Sequence, residues 1–313
     1  MKVSVTRFGF AQVGELQWHY AAAGHQDEPL ILFLHGFPEY WGVWRAQIEA
    51  FASQFHCVAP DLTGYNLSSK PKEVARYRTA RLVDDVAAFA GLFRQKRKFT
   101  LVAHDWGGAL AWAFAIKHPE QLDRLIIINA VHPGAFQREV ARNPAQASAS
   151  QYIHALRAPD AEIQYAADDY ALLWRSFAEV EAAGQLSPEL RAGLRSAWSQ
   201  EGTLTGMFNW YRAMRLTPPR GADASAETST QYPDSAMMVK VPTLVLWGLR
   251  DHALLPGCVE GLEQWVPDVT VQTFADYGHW ISLETPDLVT GAMRAWLSGS
   301  SDGAGSATAV TAG

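Results

Sequence analysis

The segment 101–108, with the sequence LVAHDWGG, carries the clearest chemical signal in this chain. Its apolar start predicts a strand, the two glycines predict an abrupt turn, and the alanine-rich stretch that follows predicts a helix. Asp105 stands at the centre of this turn, with the small residues Ala103 and Gly107 two positions away on either side. This spacing is that of a nucleophile elbow, a turn that presents one side chain for attack on a substrate.

The identity of the central residue decides which carbon can be attacked. A serine is usual at this position, and it attacks acyl carbon to give an ester. On a saturated carbon a serine would give an ether, which water does not readily cleave. A carboxylate on the same carbon gives an alkyl ester, which water can cleave at its carbonyl. Asp105 therefore indicates substitution at sp³ carbon, either the opening of an epoxide or the displacement of a halide.

Partners for Asp105 are predicted on two later loops, in the order nucleophile, acid, base that this elbow type requires. Asp251 follows an apolar strand at 243–247, and His279 follows another at 269–274. His279 would deprotonate a water, and Asp251 would accept its other N–H and stabilise the imidazolium. Asp276 is an alternative acid, but it lies on the same loop as His279, where it could act as a local cap. We favour Asp251.

The segment 35–41, HGFPEYW, follows the strand 30–34 and predicts an oxyanion hole. The loop at this place contributes one backbone N–H, and the residue after the nucleophile contributes another. These groups are the N–H of Phe37 and that of Trp106, and both would stabilise the intermediate formed when water attacks the ester. Pro38 has no N–H, and we expect a cis bond between Phe37 and Pro38. His35 is expected to be a buried, hydrogen-bonded histidine rather than a ligand.

The composition excludes several other classes of function. The net charge of −6 gives no basic surface for nucleic acid or an anionic membrane. Cys57 and Cys258 are too few for a disulfide framework and are expected to be buried thiols in a reducing compartment. No apolar run is long enough to span a bilayer, the N-terminus lacks the apolar region of a signal peptide, and we expect a cytoplasmic protein. No metal-ligand spacing and no phosphate-binding glycine loop is present, so neither a metal nor a cofactor is expected.

The elements that must position these residues alternate between apolar strands and helices, which predicts an α/β fold with a mostly parallel sheet covered on both faces. Between residues 132 and 236 the strands give way to helical segments. The predicted organisation is a core in two parts, 1–131 and 237–297, a helical cap at 132–236, and a disordered tail at 298–313.

Taken together, the motifs resemble those of the epoxide hydrolases of the α/β-hydrolase fold. The matching pieces are 35–39 (HGFPE), 61–71 (DLTGYNLSSKP), 104–108 (HDWGG), 209–212 (NWYR) and 278–280 (GHW). The resemblance covers about residues 5–297. Thr63 departs from it, since the family usually has arginine at this position.

The resemblance implies roles for three further residues. In the family, two cap tyrosines donate hydrogen bonds to the epoxide oxygen, and they match Tyr211 of the NWYR motif and Tyr152 near the start of the cap. The glutamate of HGFPE helps to order the hydrolytic water, which implies this role for Glu39. The remaining cap tyrosines are expected to pack: Tyr165, Tyr170 and Tyr232. The expected partners are an apolar epoxide and water, and the sequence leaves open whether the chain forms a homo-oligomer.

Other functions remain as alternatives. A haloalkane dehalogenase shares the aspartate, the histidine and Trp106, but often has an asparagine where this chain has Phe37. A haloacetate dehalogenase would carry arginine in place of Trp106. The absence of an elbow serine disfavours an esterase, and an intact catalytic set disfavours a silent receptor. Five cap residues suggest an apolar pocket: Trp174, Phe177, Met207, Phe208 and Trp210.

Overall fold

A computed structural model describes residues 6–220 and 232–299, which form an eight-stranded sheet with helices around it. Short runs of Leu, Ile and Val fill its central strands, because helices cover both faces of the sheet there. The strands are β1 (Arg7–Val13), β2 (Leu16–Ala23), β3 (Leu30–Leu34), β4 (His56–Pro60), β5 (Phe99–His104), β6 (Leu122–Ile128), β7 (Thr243–Gly248) and β8 (Val269–Phe274).

The order of strands across the sheet is β1-β2-β4-β3-β5-β6-β7-β8. The pairs β1–β2 and β2–β4 are antiparallel, and every later pair is parallel. The predicted mostly parallel sheet is confirmed. Since the strands β3, β5, β6, β7 and β8 run the same way, the loops after their carboxyl ends meet at one edge, where a site is expected.

Helices flank the sheet and also fill the connection between β6 and β7. This connection, residues 129–242, is called the helical insertion below. Its described part contains α4 to α10, whereas the other helices pack on the sheet. The bounds are α1 (Arg45–Phe51), α2 (Thr79–Phe93), α3 (Asp105–Lys117), α4 (Pro133–Arg142), α5 (Pro144–Ala149), α6 (Tyr152–Leu156), α7 (Ala161–Trp174), α8 (Ala178–Ala182), α9 (Pro188–Trp198), α10 (Thr203–Ala213), α11 (Ile281–Glu284) and α12 (Pro286–Ser298).

The insertion differs from the helices that hydrophobic spacing predicts. One helix is expected over 146–157, but α5 and α6 are separate, because the backbone leaves helical geometry at Ser150, whose ψ is 3°. Helix α4 is not predicted at all, although its signals are present: Pro133 is the first helical residue, and the His132 ring caps the helix by accepting from the Gly134 N–H at 3.2 Å. Two helices are expected here, one ending at residue 169 and the next beginning at residue 170, and a sharp kink divides α7 at 167–170.

Two predictions fall largely outside the part of the chain that the structure describes. A Pro/Gly/Ser-rich stretch at 217–234 is predicted to end the helical segments, and its residues 221–231 lie outside the described part. The predicted tail also lies outside it from residue 300 onward, while Ser298 is the last residue of α12. Both cysteines are buried and unpaired, as expected. Within the described residues, no helix has the length and apolar character needed to cross a membrane.

Candidate active site

Asp105 lies at the junction of β5 and α3, in a backbone conformation that residues other than glycine rarely adopt. Its φ is 48°, in the left-handed region. Two glycines make room for this turn. A Cβ on Gly36 would lie 2.4 Å from that of Asp105, and a Cβ on Gly107 would lie 2.4 Å from the Leu34 and His35 carbonyl oxygens. The sequence thus folds here into a tight elbow that points the carboxylate at the loop after β3.

That loop provides a backbone donor to Asp105. The Phe37 N–H donates to Asp105 Oδ1 at 2.7 Å, and the Phe37–Pro38 bond is cis, as predicted. The Trp106 N–H lies in the first turn of α3, where backbone N–H groups have no partner within the helix. Of the two predicted oxyanion donors, the one whose hydrogen bond to Asp105 is present in the structure is Phe37.

His279 lies between two carboxylates. Its Nδ1 is 2.7 Å from Asp251 Oδ2, and its Nε2 is 3.6 Å from Asp105 Oδ2. Asp276 instead pairs with Arg250 on the surface, with 78% of its side chain exposed. The structure therefore brings Asp105, His279 and Asp251 together and leaves Asp276 apart.

Asp251 is held by more groups than the sequence indicated. Its Oδ1 accepts from the N–H groups of Ala253 and Leu254, both at 2.8 Å, and its Oδ2 accepts from Asn129 Nδ2 at 2.9 Å. Asn129 also accepts from the Gly248 N–H at 2.9 Å. Asn129 was not predicted from the sequence, although a polar residue directly after the apolar strand β6 was a usable signal.

Burial and neighbouring charges shift the pKa of each of these three groups in opposite directions. Burial raises the pKa of Asp105 and of Asp251, but hydrogen bonds and the charge of His279 outweigh it and leave both values lowered. Burial lowers the pKa of His279, yet Asp251 and Asp105 outweigh it and raise that pKa well above its ordinary value. The resting site therefore favours an imidazolium between two carboxylates.

Glu39 and His104 form a buried pair beside this group. Glu39 Oε2 accepts from the Gly36 N–H at 2.7 Å and lies 3.1 Å from His104 Nδ1, while Oε1 has no hydrogen-bond partner among the described residues. His104 Nε2 donates to the His279 carbonyl at 2.9 Å. An unpaired oxygen at this depth is unusual, because buried polar atoms are rarely left without a hydrogen bond. His104 was not singled out from the sequence.

Other predicted residues lie as expected around this centre. His35 is fully buried, donates to the Gly36 carbonyl and accepts from the Leu62 N–H, so it is a structural histidine. Burial lowers its pKa and keeps it neutral. In place of the family arginine, the Thr63 hydroxyl accepts from Trp18 Nε1 at 2.9 Å.

The tyrosines Tyr152 of α6 and Tyr211 of α10 lie side by side next to Asp105. Their ring centroids are 6.1 Å apart, and the Tyr211 ring packs edge-on against Phe37 at 5.2 Å and Trp106 at 5.1 Å. Burial raises the pKa of both phenols, and the negative charge of Asp105 adds to the effect. Both therefore stay protonated and remain hydrogen-bond donors.

The remaining aromatic residues of the insertion divide into two groups. Phe208 and Trp210 lie against the site, at 6.2 Å from the Phe37 ring and 5.7 Å from the Trp106 ring respectively. Trp174 and Phe177 pack farther along, against Trp198 and Trp280. Tyr165 packs on Phe208 and Tyr170 packs on Trp198, whereas the Tyr232 side chain is exposed.

Among the described residues, no group of His, Cys, Asp or Glu is placed to hold a metal ion.

Comparison with known proteins agrees with this geometry. The family model described as the alpha/beta hydrolase fold matches residues 29–286. This chain belongs to the alpha/beta hydrolase family. The match extends from just before β3 into α12 and therefore includes Asp105, Asp251 and His279. This hydrolase is an enzyme of that fold.

The relatives of this hydrolase include epoxide hydrolases. It is 33% identical over 290 residues to the AB hydrolase superfamily protein YfhM of Bacillus subtilis, covering 92% of this chain and 96% of that protein. It is also 33% identical over 290 residues to epoxide hydrolase 4 of Mus musculus, covering 90% of this chain and 76% of the relative. Among solved structures, an epoxide hydrolase of Bacillus megaterium bound to an inhibitor superposes with a TM-score of 0.84 at 30% identity, covering 92% of this chain and 99% of the other.

Proposed function

We propose that this hydrolase converts an epoxide into a vicinal diol through an alkyl ester on Asp105, with residues 132–236 acting as the cap. The observation that carries the proposal is the pair of protonated phenols, Tyr152 and Tyr211, beside a buried carboxylate nucleophile. An epoxide oxygen becomes an alkoxide when the ring opens, and it needs such donors. Epoxide hydrolase activity among the relatives supports the same reaction class.

The two oxygens of Asp105 have different roles in the first step. Oδ1 is held by the Phe37 N–H, so Oδ2, on the His279 side, is the attacking atom. Its lone pair forms a bond to one epoxide carbon while the C–O bond of the ring breaks. The electrons of that bond go to the epoxide oxygen, which takes a proton from Tyr152 or Tyr211.

The second step cleaves the ester at its carbonyl. A water attacks the Asp105 Cγ, His279 Nε2 takes the proton of that water, and the negative charge collects on Oδ1. Oδ1 then accepts from the N–H groups of Phe37 and Trp106. Collapse of this intermediate breaks the bond between Cγ and Oδ2, and the departing diol oxygen, the former Oδ2, takes the proton held by His279. Asp105 is left as a carboxylic acid that contains a solvent oxygen, and it returns its remaining proton to the tyrosinate formed in the first step.

The raised pKa of His279 is compatible with its role as a base in the second step. In the resting enzyme both Asp251 and Asp105 raise that pKa. Once Asp105 is an ester, it carries no charge, so one of the two negative neighbours is lost and the His279 pKa falls. The imidazole thus becomes a base at the stage where a base is needed. The free Oε1 of Glu39 would accept a hydrogen bond from the attacking water.

Halide displacement is the weaker proposal for this site. A leaving halide needs donors of its own, and in the dehalogenases the tryptophan after the nucleophile is one of them. Here the Trp106 ring packs edge-on against the Tyr211 ring, with centroids 5.1 Å apart, and the Phe37 side chain offers no donor. The tyrosine pair is also needed less by a halide than by an alkoxide.

The proposal is tested with the His279→Gln variant and a panel of aliphatic and styrene-like epoxides. Wild-type enzyme should form the diol. The variant should react with the epoxide and stop at the ester, because Asp105 needs no base to attack while the water does. Intact-protein mass spectrometry should show an accumulating adduct, with His25→Gln, an exposed histidine, as the control. A variant that stays inactive and unmodified would contradict the two-step scheme.

A further inference from the structure

The two proposed donors lie on separate helices, α6 and α10, so something must fix one relative to the other. Tyr152 opens α6, a helix of only five residues, and Tyr211 lies in the last turn of α10. Short helices are only marginally stable by themselves. The position of the tyrosine pair therefore depends on contacts between these helices rather than on either helix alone.

Arg157, the residue that ends α6, reaches across to the end of α10. Its Nε donates to the Tyr211 carbonyl at 2.7 Å, and its Nη2 donates to the carbonyls of Met214 and Leu216, both at 3.0 Å. Its Nη1 donates to the Thr217 hydroxyl at 3.0 Å. A single guanidinium thus binds the backbone of Tyr211 itself and the segment that follows it.

Two further side chains of the same helix region hold the segment after α10. Gln151 Nε2 donates to the Pro219 carbonyl and His154 Nε2 to the Pro218 carbonyl, both at 2.9 Å. Gln151, His154 and Arg157 are three residues apart, which places them along one side of a helix. Together they bind three carbonyls of the segment 216–219, those of Leu216, Pro218 and Pro219, and hold this segment beside α6.

The guanidinium of Arg157 is paired with carbonyl oxygens rather than with carboxylates. The guanidinium is half-buried, burial lowers its pKa, and within the described residues no carboxylate pairs with it. A helix C-terminus presents unpaired carbonyls and a partial negative charge, which a cation stabilises. The planar fork of arginine can reach several such oxygens at once, whereas a lysine ammonium cannot.

We propose that Arg157 is a positioning residue for epoxide opening: it fixes the backbone of Tyr211 to α6 and so holds Tyr152 and Tyr211 on the same epoxide oxygen. This inference rests on the proposed function. It assigns Arg157 to the first step alone, because the phenols act when the ring opens, whereas ester cleavage depends on His279 and the oxyanion donors. A merely structural residue would affect both steps or neither.

The variant Arg157→Gln tests this with the two steps measured separately. Misplacement of a catalytic group by about 1 Å costs up to roughly 100-fold, so ester formation should slow by about 10- to 100-fold. Ester formation is followed as adduct growth in a His279→Gln background, and ester cleavage as single-turnover decay with His279 intact. Cleavage should stay within about twofold of wild type, since no group that acts in it is moved.

The variant should fold, because a second arginine also joins α10 to α7 and to the segment directly after α6. Arg212 of α10 binds both carboxylate oxygens of Glu162, at 2.7 and 2.8 Å, and the Ala158 carbonyl at 3.2 Å. Arg157→Lys provides a milder change that keeps the charge, and it should slow ester formation less than Arg157→Gln. The control is Arg195→Gln, which removes an exposed arginine of the same insertion that pairs with Asp169.

Two further results separate positioning from a general loss of structure. In a Tyr211→Phe background, Arg157→Gln should slow ester formation by less than about twofold, because residues that act as a unit are not additive. Methylguanidinium should restore part of the rate to Arg157→Ala. The inference would be overturned if the losses from Arg157→Gln and Tyr211→Phe were additive, if methylguanidinium restored no activity to Arg157→Ala, or if Arg157→Gln slowed ester formation and ester cleavage equally.

The outcome also distinguishes this inference from the proposed function. If wild-type enzyme forms no diol from any epoxide of the panel, the proposed function fails and the role of Arg157 falls with it. If diol forms and Arg157→Gln behaves like Arg195→Gln, the function stands and only the positioning role is wrong.

Discussion

Removing one phenol oxygen from the tyrosine pair should selectively impair epoxide opening. Tyr211→Phe and Tyr152→Phe keep the rings, whose centroids are 6.1 Å apart, and delete only the donors. Deleting one donor to a developing oxyanion costs about 2.7–4 kcal/mol, or 10²–10³ in rate. Two phenols share one oxygen here, and the remaining one partly compensates. We therefore expect each single variant to be slower by about 10- to 100-fold.

The double variant, Tyr152→Phe with Tyr211→Phe, tests whether these two hydroxyls together supply the hydrogen bonds to the epoxide oxygen. With both hydroxyls gone, the two donors proposed for the epoxide oxygen are lost, and the rate should fall by more than about 1000-fold. The measurement is the single-turnover rate of ester formation at saturating epoxide, since multiple-turnover rates could be limited by ester cleavage. Tyr165→Phe is the matched control, because this half-buried tyrosine of the insertion packs on Phe208 and has no electrostatic interaction with Asp105.

The result that refutes this reasoning is specific. If ester formation in the double variant stays within about tenfold of wild type, the phenols do not stabilise the leaving oxygen. If the same variant also keeps its rate on a haloalkane while Trp106→Phe loses it, halide displacement becomes the better description of the site.

Two further predictions concern the second step and the protonation of the site. Glu39→Gln should slow ester cleavage by about tenfold or more and leave ester formation unchanged, because the role proposed for Glu39 is to accept a hydrogen bond from the attacking water; burst amplitudes check this. Because the pKa of His279 is raised, its charge stabilises the fold fully at pH values below the ordinary pKa of 6.5, and this contribution is lost as the pH rises through the raised pKa. Because the pKa values of Asp105 and Asp251 are lowered, their charges stabilise the fold at pH values above the ordinary pKa of 3.8, and this contribution is lost as the pH falls through the lowered pKa values. Thermal melts should therefore show a broad maximum between these limits, and His279→Gln should lose the alkaline limb; a melting temperature that rises on the alkaline side would contradict the direction.

The nucleophile elbow and the parallel sheet could be predicted because local patterns determine them. Asp105 lies between an apolar strand and an alanine-rich helix, and periodicity alone predicts those elements. The position of His279 follows from the strand before it in the same way. Both inferences needed only neighbours in the sequence.

Contacts between distant segments could not be predicted in this way. Asn129 bonds to Asp251 across 122 positions, and Arg157 bonds to Tyr211 across 54. Such pairs depend on how loops meet in the folded chain, and no periodicity in the sequence encodes them. The division between α5 and α6 was missed for a related reason, because a polar contact from Gln146 to Ser150, rather than a helix-breaking residue, accompanies it.

The central claim is that a covalent ester forms on Asp105, and a single turnover in ¹⁸O-water tests it most directly. With enzyme in excess over epoxide, the account predicts that the diol of the first turnover contains no solvent oxygen, because its new hydroxyl is the former Asp105 Oδ2. After proteolysis, the peptide with Asp105 should contain one ¹⁸O, and the peptide with Asp251 should contain none. Solvent ¹⁸O in the first-turnover diol, with Asp105 unlabelled, would contradict the account and indicate direct attack by water.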